Sequence, residues 1–262
     1  MKNNTKTVWK IIAAVGALMM IGFIFIIYNA FCGNFISGMY FKWKVDKYIA
    51  ETYPDKHYEV SDYNYSFKTG DYIFNIIDPD SEDGCFTAYY SGYEKAVIDS
   101  YENDVLHLDN TLIRLDLAFS NELDPLIDRY LDTKEKTVNG QYIGGEFGYA
   151  TIITDNYDEN DLKEKLYLDM PVNAKNMPLP TEISLCLNSD ESESFKRVRK
   201  MASEFKTLGY RIDYYDFSTS GKPYETVPAE KLLDAETLDD LEKYVMKDYD
   251  KELCENYSVI LR

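Results

Sequence analysis

IIAAVGALMMIGFIFIIYNAF, residues 11–31, decides the class of this protein. It holds no charged side chain, and the uncharged run continues to Phe41. A helix rises about 1.5 Å per residue and the hydrocarbon core of a bilayer is about 30 Å thick, so about 20 apolar residues cross it. The stretch is read as a transmembrane helix. Trp9 and Tyr28 stand near its ends, where amphipathic rings favour the membrane–water boundary. Lys2, Lys6 and Lys10 flank only the N-terminal side, and the first 36 residues contain no acid. Positive flanks stay cytoplasmic. The expectation is a cytoplasmic tip of residues 1–10, one crossing of the cell membrane through residues 11–31, and everything beyond outside.

A cleaved signal peptide is the competing reading. Its apolar run is shorter, about 7–15 residues, and ends in a small-x-small site. Tyr28-Asn29-Ala30 and Phe31-Cys32-Gly33 each put a large ring where a small residue is needed. Phe31 also stands directly before Cys32, which argues against a lipoprotein. The uncleaved anchor is the reading carried forward.

The rest of the chain is strongly acidic. Residues 37–262 carry 25 of the 28 Lys and Arg but all 46 Asp and Glu, a formal charge of −21. Such a body repels phosphate backbones, so nucleic acid is excluded as a partner. Hydrophobic residues make up 45% of the chain, enough for real cores rather than a disordered tail. Cys85, Cys186 and Cys254 allow three single pairings, each leaving one thiol over, and Cys32 lies at the membrane edge. None belongs to a CxxC pair, which excludes a dithiol redox site or a zinc ribbon.

The fold class expected is α+β, with a first unit over residues 32–130 and a second over 131–262. In the first, an amphipathic helix at 39–52 carries the stripe Phe41, Val45, Tyr48 and Ile49, and Pro54 ends it. A three-stranded antiparallel meander follows at 57–68, 71–77 and 85–90, with a turn at Thr69-Gly70-Asp71. Tyr63, Tyr65 and Phe67 alternate onto one face. A single helix at 100–121 has Tyr101, Val105, Leu108, Leu112, Leu115 and Phe119 to lay across that sheet. Asp124-Pro125 reads as a helix break or restart.

The second unit carries the clearest pattern. A strand at 182–188 is followed by a helix from the capping pair Asp190 and Glu193 to Leu208, with stripe Phe195, Val198, Ala202 and Phe205. Gly209 is placed to end it, and a strand at 211–217 follows. That is a strand–helix–strand crossover, expected to be parallel and right-handed. A strand at 149–154, a short helix capped by Asp158, a proline-rich crossing at 170–180, a helix at 235–248 and a strand at 257–261 complete the unit.

The order of motifs from Trp43 to Leu115 resembles a known family. It comprises Tyr53-Pro54-Asp55, Tyr58-Glu59-Val60, the hairpin Tyr65-Ser66-Phe67-Lys68-Thr69-Gly70-Asp71-Tyr72, Phe74, Asn110-Thr111 and Arg114-Leu115 behind an N-terminal membrane segment. This is similar to the YfjL-like proteins, membrane-anchored proteins of Gram-positive bacteria of unknown function. The resemblance covers about the first half of the chain. It implies a bacterial cell-envelope location and transfers no catalytic residue.

Candidate chemistry is sparse. Asp78, Asp80 and Glu82 precede Asp83-Gly84 like the oxygen ligands of a Ca²⁺ loop, but an EF-hand needs Gly at the sixth position and Glu at the twelfth, which are Asp83 and Tyr89. The default is a solvated hairpin loop, with no metal and no cofactor. Residues 155–161 are similarly acid-rich and suit a helix N-terminus. The two histidines, His57 and His107, do not stand at metal-ligand spacing. Ser203-x-x-Lys206 matches one motif of penicillin-binding enzymes without its partner motifs. The basic cluster Lys196, Arg197, Arg199 and Lys200 is either a grip for an acidic partner or a wet helix face pairing with acids. Tyr89, Tyr90 and Tyr93 are either a binding platform or half of a sheet's core.

The reading is a single-pass anchor presenting a non-enzymatic binding or accessory domain to an envelope protein or wall component. The alternative is an extracytoplasmic hydrolase acting on wall or peptide substrates through carboxylates that the sequence does not single out. A concave pocket holding two titratable side chains with shifted pKa would mark the enzyme.

Overall fold

In the computed structural model of the chain, the apolar stretch forms one helix, α1 (Lys2–Cys32). The structure describes residues 2–236 and 240, apart from 92, 93, 135, 139, 140, 144, 155, 156, 158, 188–190, 220 and 221. Cys254, Tyr93, the caps Asp158 and Asp190, the strand at 257–261 and most of the helix at 235–248 lie outside the described residues. The chain divides into two compact units, the first ending at Asn110 and the second beginning at Thr111. The sequence reading put its division at 130/131.

In the first unit α1 is followed by α2 (Phe35–Thr52). It starts four residues earlier than its charged periodicity suggests, because Asn34 caps it: the Asn34 Oδ1 accepts from the backbone N–H of Ile36 (2.9 Å) and Ser37 (3.3 Å). A four-stranded antiparallel sheet follows, β1 (Glu59–Tyr65), β2 (Tyr72–Ile77), β3 (Phe86–Ser91) and β4 (Ala96–Asp99), in the order β1-β2-β3-β4. The meander thus has four strands where three were expected. β4 is too short to announce itself, and is held by pairing with β3 and by Asp99, whose Oδ2 accepts from the hydroxyls of Tyr48 (2.8 Å) and Tyr53 (3.0 Å).

The helix that covers this sheet is α2. Its Val45 and Ile49 are buried together with Phe74, Ile76, Phe86 and Ala88, and Phe41 stacks on Tyr90 with ring centroids 5.1 Å apart. Lys42 departs from the expected wet face: its ammonium donates to the Ser61 carbonyl at 2.6 Å. Phe67 also departs. β1 ends at Tyr65, so Phe67 sits in the turn and is exposed, while Gly70 takes the left-handed conformation the turn needs (φ +78).

The expected helix at 100–121 is broken. A π-helical turn at Glu102–Leu106 ends at His107, Leu108 has φ +67, and a new helix α3 (Asp109–Ile127) begins. Almost all of α3 belongs to the second unit. Its buried positions are Thr111, Leu115, Phe119, Leu123 and Ile127, strictly four apart; Leu112 is only half-buried. Pro125 lies inside its last turn and does not break it.

The second unit holds a hairpin, β5 (Lys136–Val138) and β6 (Gln141–Ile143). Next come β7 (Phe147–Ile152), α4 (Glu159–Lys165), β8 (Thr181–Leu187), α5 (Glu191–Leu208), β9 (Tyr214–Thr219), β10 (Lys222–Pro228) and α6 (Ala229–Asp234). The sheet order is β10-β9-β8-β7, and β8 pairs with β9 in parallel, as the crossover required. β10 and α6 were not foreseen. α5 buries Phe195, Val198, Ala202 and Phe205, the expected stripe. Gly209 closes it at φ +83, with the N–H of Tyr210 reaching the Phe205 carbonyl (3.0 Å).

One face of this sheet is apolar core. The register aligns Ala150, Ile183, Tyr215 and Val227 across all four strands, and all four are buried. β7 is an edge strand, and α3 protects it: Asp124 Oδ1 accepts from the Ala150 N–H (2.9 Å) and Asp116 Oδ1 from the Ile152 N–H (2.7 Å).

Candidate functional site

The loop that carries Asp78, Asp80 and Glu82 closes on itself. Asp78 is buried; its Oδ1 accepts from the Asp80 N–H (3.0 Å) and its Oδ2 lies 3.5 Å from the Lys56 ammonium. A Cβ at Gly84 would stand 2.8 Å from that same Oδ2, so a side chain there would force Asp78 or Ser81 aside. Asp80 and Glu82 are exposed. Among the described residues, no three His, Cys, Asp or Glu side chains come within reach of one ion.

The tyrosine pair does not make a platform. Tyr89 and Tyr90 are consecutive on β3 and point to opposite faces, and Tyr90 is taken up by Phe41. His57 is exposed, and the backbone N–H of His107 ends the π-helical turn by donating to Glu102. Cys32, Cys85 and Cys186 are free thiols. Ser203 and Lys206 lie on the exposed side of α5.

The basic cluster divides. Lys196 pairs loosely with Glu193 (3.8 Å) on the surface. Arg199 donates to the Leu233 carbonyl (3.0 Å). Arg197 reaches inward to Glu146, whose carboxylate is almost wholly buried: Oε1 accepts from the guanidinium at 2.7 Å and from the Ser194 hydroxyl at 2.8 Å, and Oε2 accepts from the Asp132 N–H at 2.8 Å. Burial opposes ionisation of Glu146, but these donors outweigh it and hold the carboxyl below its ordinary range. Sequence reasoning missed Glu146, because a glutamate after two glycines in a loop carries no local sign of burial.

The face of the second sheet opposite its core is mixed. Tyr149, Ser184, Asp216 and Thr226 stand in register across the four strands, and one step along β7 and β8 are Phe147 and Cys186. Phe147 and Tyr149 are exposed. Burial pushes the Asp216 carboxyl up to about 6, against the Thr226 hydroxyl (3.2 Å) and the Phe217 N–H, which favour its charged form. An open depression of about 460 Å³ lies beside Ile212, Asp213, Tyr214, Pro228, Ala229 and Glu230, and does not include Asp216. Asp213 there is engaged in holding the chain, accepting from the Thr181 N–H (3.0 Å) and from Arg211 (3.1 Å).

Asp216 gives a pH-dependent expectation. A carboxyl with a folded pKa near 6 and an unfolded value near 3.9 favours folding when protonated, so its contribution falls as pH rises from about 4 to 6. Asp216→Asn removes that penalty. Thermal melts of the full chain in detergent should show the variant more stable than the parent at pH 7, by on the order of 2 kcal/mol, with the difference vanishing near pH 4. Equal melting at both pH values would place Asp216 in water.

Fold and surface together define an α+β protein with one exposed N-terminal helix long and apolar enough to cross a membrane. Residues 8–101 match the YfjL-like N-terminal domain. The match runs from the start of the apolar segment through β4, nearly all of the first compact unit. No curated protein and no solved structure matches the chain.

Proposed function

We propose that this is a single-pass membrane-anchored protein of the bacterial cell envelope. Its N-terminus is cytoplasmic, and its acidic body outside the membrane serves a binding or accessory role toward an envelope protein or wall component. The observation that carries the reading is α1: its most apolar stretch is wholly uncovered by the rest of the protein. Apolar side chains on that scale are stable only in lipid or against another protein. Lys2, Lys6 and Lys10 on one flank set the orientation. Binding is favoured over hydrolysis because, among the described residues, the carboxylates with raised pKa, Asp124 and Asp216, are held by the β7 backbone and by Thr226 rather than gathered in a cleft.

Protease treatment of intact protoplasts tests it. Epitopes beyond residue 50 should be digested while an N-terminal tag survives, and the chain should stay with the membranes after carbonate washing. Protection of the body would overturn the orientation. Release by carbonate would overturn the anchor.

A further inference from the structure

The junction between α1 and α2 is rigid, not a tether. Gly33 turns the chain at φ +74, and a Cβ there would lie 2.7 Å from the Tyr65 ring. The Tyr72 hydroxyl grips the next residue, accepting from the Asn34 N–H (2.6 Å) and donating to the Asn34 carbonyl (3.1 Å). A Cβ at Gly38 would fall within 2.2 Å of the Tyr63 ring, so α2 lies directly on β1. The end of α1 is thus fixed against the first sheet, and Phe67 in the β1–β2 turn meets Phe31 with ring centroids 5.7 Å apart.

This leaves an apolar stripe that no described residue covers. Phe35, Ile36, Met39, Tyr40 and Trp43 share the face of α2 that points away from the sheet, and each is at least half exposed, as is Phe67. The stripe is continuous with α1 through Phe31. The uncharged part of α1, residues 11–32, spans about 33 Å as helix, against about 30 Å for the hydrocarbon core of a bilayer. The first lysines beyond the run are Lys42 and Lys44, and the Lys44 ammonium lies over the rings of Tyr40 (5.6 Å) and Trp43 (5.3 Å). Aromatic rings with lysine beside them are what the headgroup boundary of a bilayer accepts.

We propose that the first unit is seated in the lipid surface. The outer stripe of α2 and the tip of the β1–β2 hairpin sit at the boundary between headgroups and acyl chains of the leaflet that α1 leaves, with Phe67 deeper than Trp43. This rests on the anchor reading and goes beyond it: the acidic body is held at one height and orientation instead of swinging on a leash.

The chain has two tryptophans, which makes the test direct. The full chain is reconstituted in phosphatidylcholine–phosphatidylglycerol vesicles containing lipids brominated at shallow or deep acyl positions. Trp9→Phe leaves Trp43 as the reporter, and Trp43→Phe leaves Trp9, which reports on the anchor alone. A chain with W9F, W43F and F67W reports on the hairpin tip. The expected result is short-wavelength emission and quenching by shallow bromines for Trp43, and stronger quenching by deep bromines for the F67W chain. If Trp9 is quenched while Trp43 and the F67W reporter emit at long wavelength unquenched, the anchor stands and the seat is overturned. If Trp43 is shielded from aqueous acrylamide yet untouched by brominated lipid, another protein or a second copy covers the stripe, and the lipid assignment is overturned. If Trp9 also escapes quenching, the anchor fails and the seat fails with it.

Discussion

Arg197→Met should destabilise the protein by about 3–5 kcal/mol at pH 7, the usual cost of removing one partner of a buried ion pair. The variant keeps the length and apolar stem of the arginine and leaves the Glu146 carboxylate buried without its guanidinium partner. Its pH dependence should change sign. In the parent protein the Glu146 pKa is depressed, so its contribution is full above the unfolded value of about 4.3 and is lost as pH falls through the folded one. In the variant, burial prevails and raises the pKa, so the deficit should shrink on acidification. Melting of both chains at pH 7 and pH 5 measures this. A second change, Glu146→Gln, should recover much of the loss, since a neutral pair avoids the stranded charge. A deficit below about 0.5 kcal/mol, the usual surface effect, would show that the pair is open to water.

Phe119→Ala should cost about 3–5 kcal/mol, the range for deleting a fully buried phenylalanine. Phe119 is at the centre of the buried stripe of α3 and has no exposed surface. Leu112→Ala on the same helix is the internal comparison: Leu112 is half-buried, so its loss should be clearly smaller. The simple periodicity read from the sequence ranks both as core. Equal losses would return Leu112 to that stripe; a small loss at Phe119 would place the helix face elsewhere.

The reason the break in that helix was missed is local. Steps of three and four from Tyr101 to Phe119 fit one helix, and nothing about Leu108 suggests φ +67. Left-handed backbone is expected at Gly or Asn, rarely at a leucine. The chain turns there, yet Val105, Leu108, Leu115 and Phe119 of that stripe are buried; beyond the turn the buried face of α3 runs on through Leu123 and Ile127, and Leu112 drops out of it. β4 and β10 were missed for a related reason. Each is short or polar, and exists because a neighbour offers its edge: β3 with Asp99 gripped by two tyrosines, and β9 with Asp216 opposite Thr226.

The candidate chemistry followed the same rule. The Asp78 loop offers acids at ligand-like intervals, but interval does not fix direction, and the backbone consumes Asp78. The cluster from Lys196 to Lys200 is one composition with several fates, because Arg197 alone finds a buried acid 51 residues away.

What the sequence determined by itself is everything whose cause is local. An uncharged run of sufficient length makes α1 whatever surrounds it. Apolar spacing made α2 and α5, a glycine in the right place ended α5, and two strands flanking that helix had to pair in parallel. Tertiary structure alone decided which polar groups are buried, where α3 begins and which unit it serves, and that the exit of α1 is clamped beneath Tyr65 and Tyr72. These depend on partners distant in the chain. The energy of a buried carboxylate, an edge strand or a turned leucine is set by what the fold brings to it, and periodicity carries no record of that.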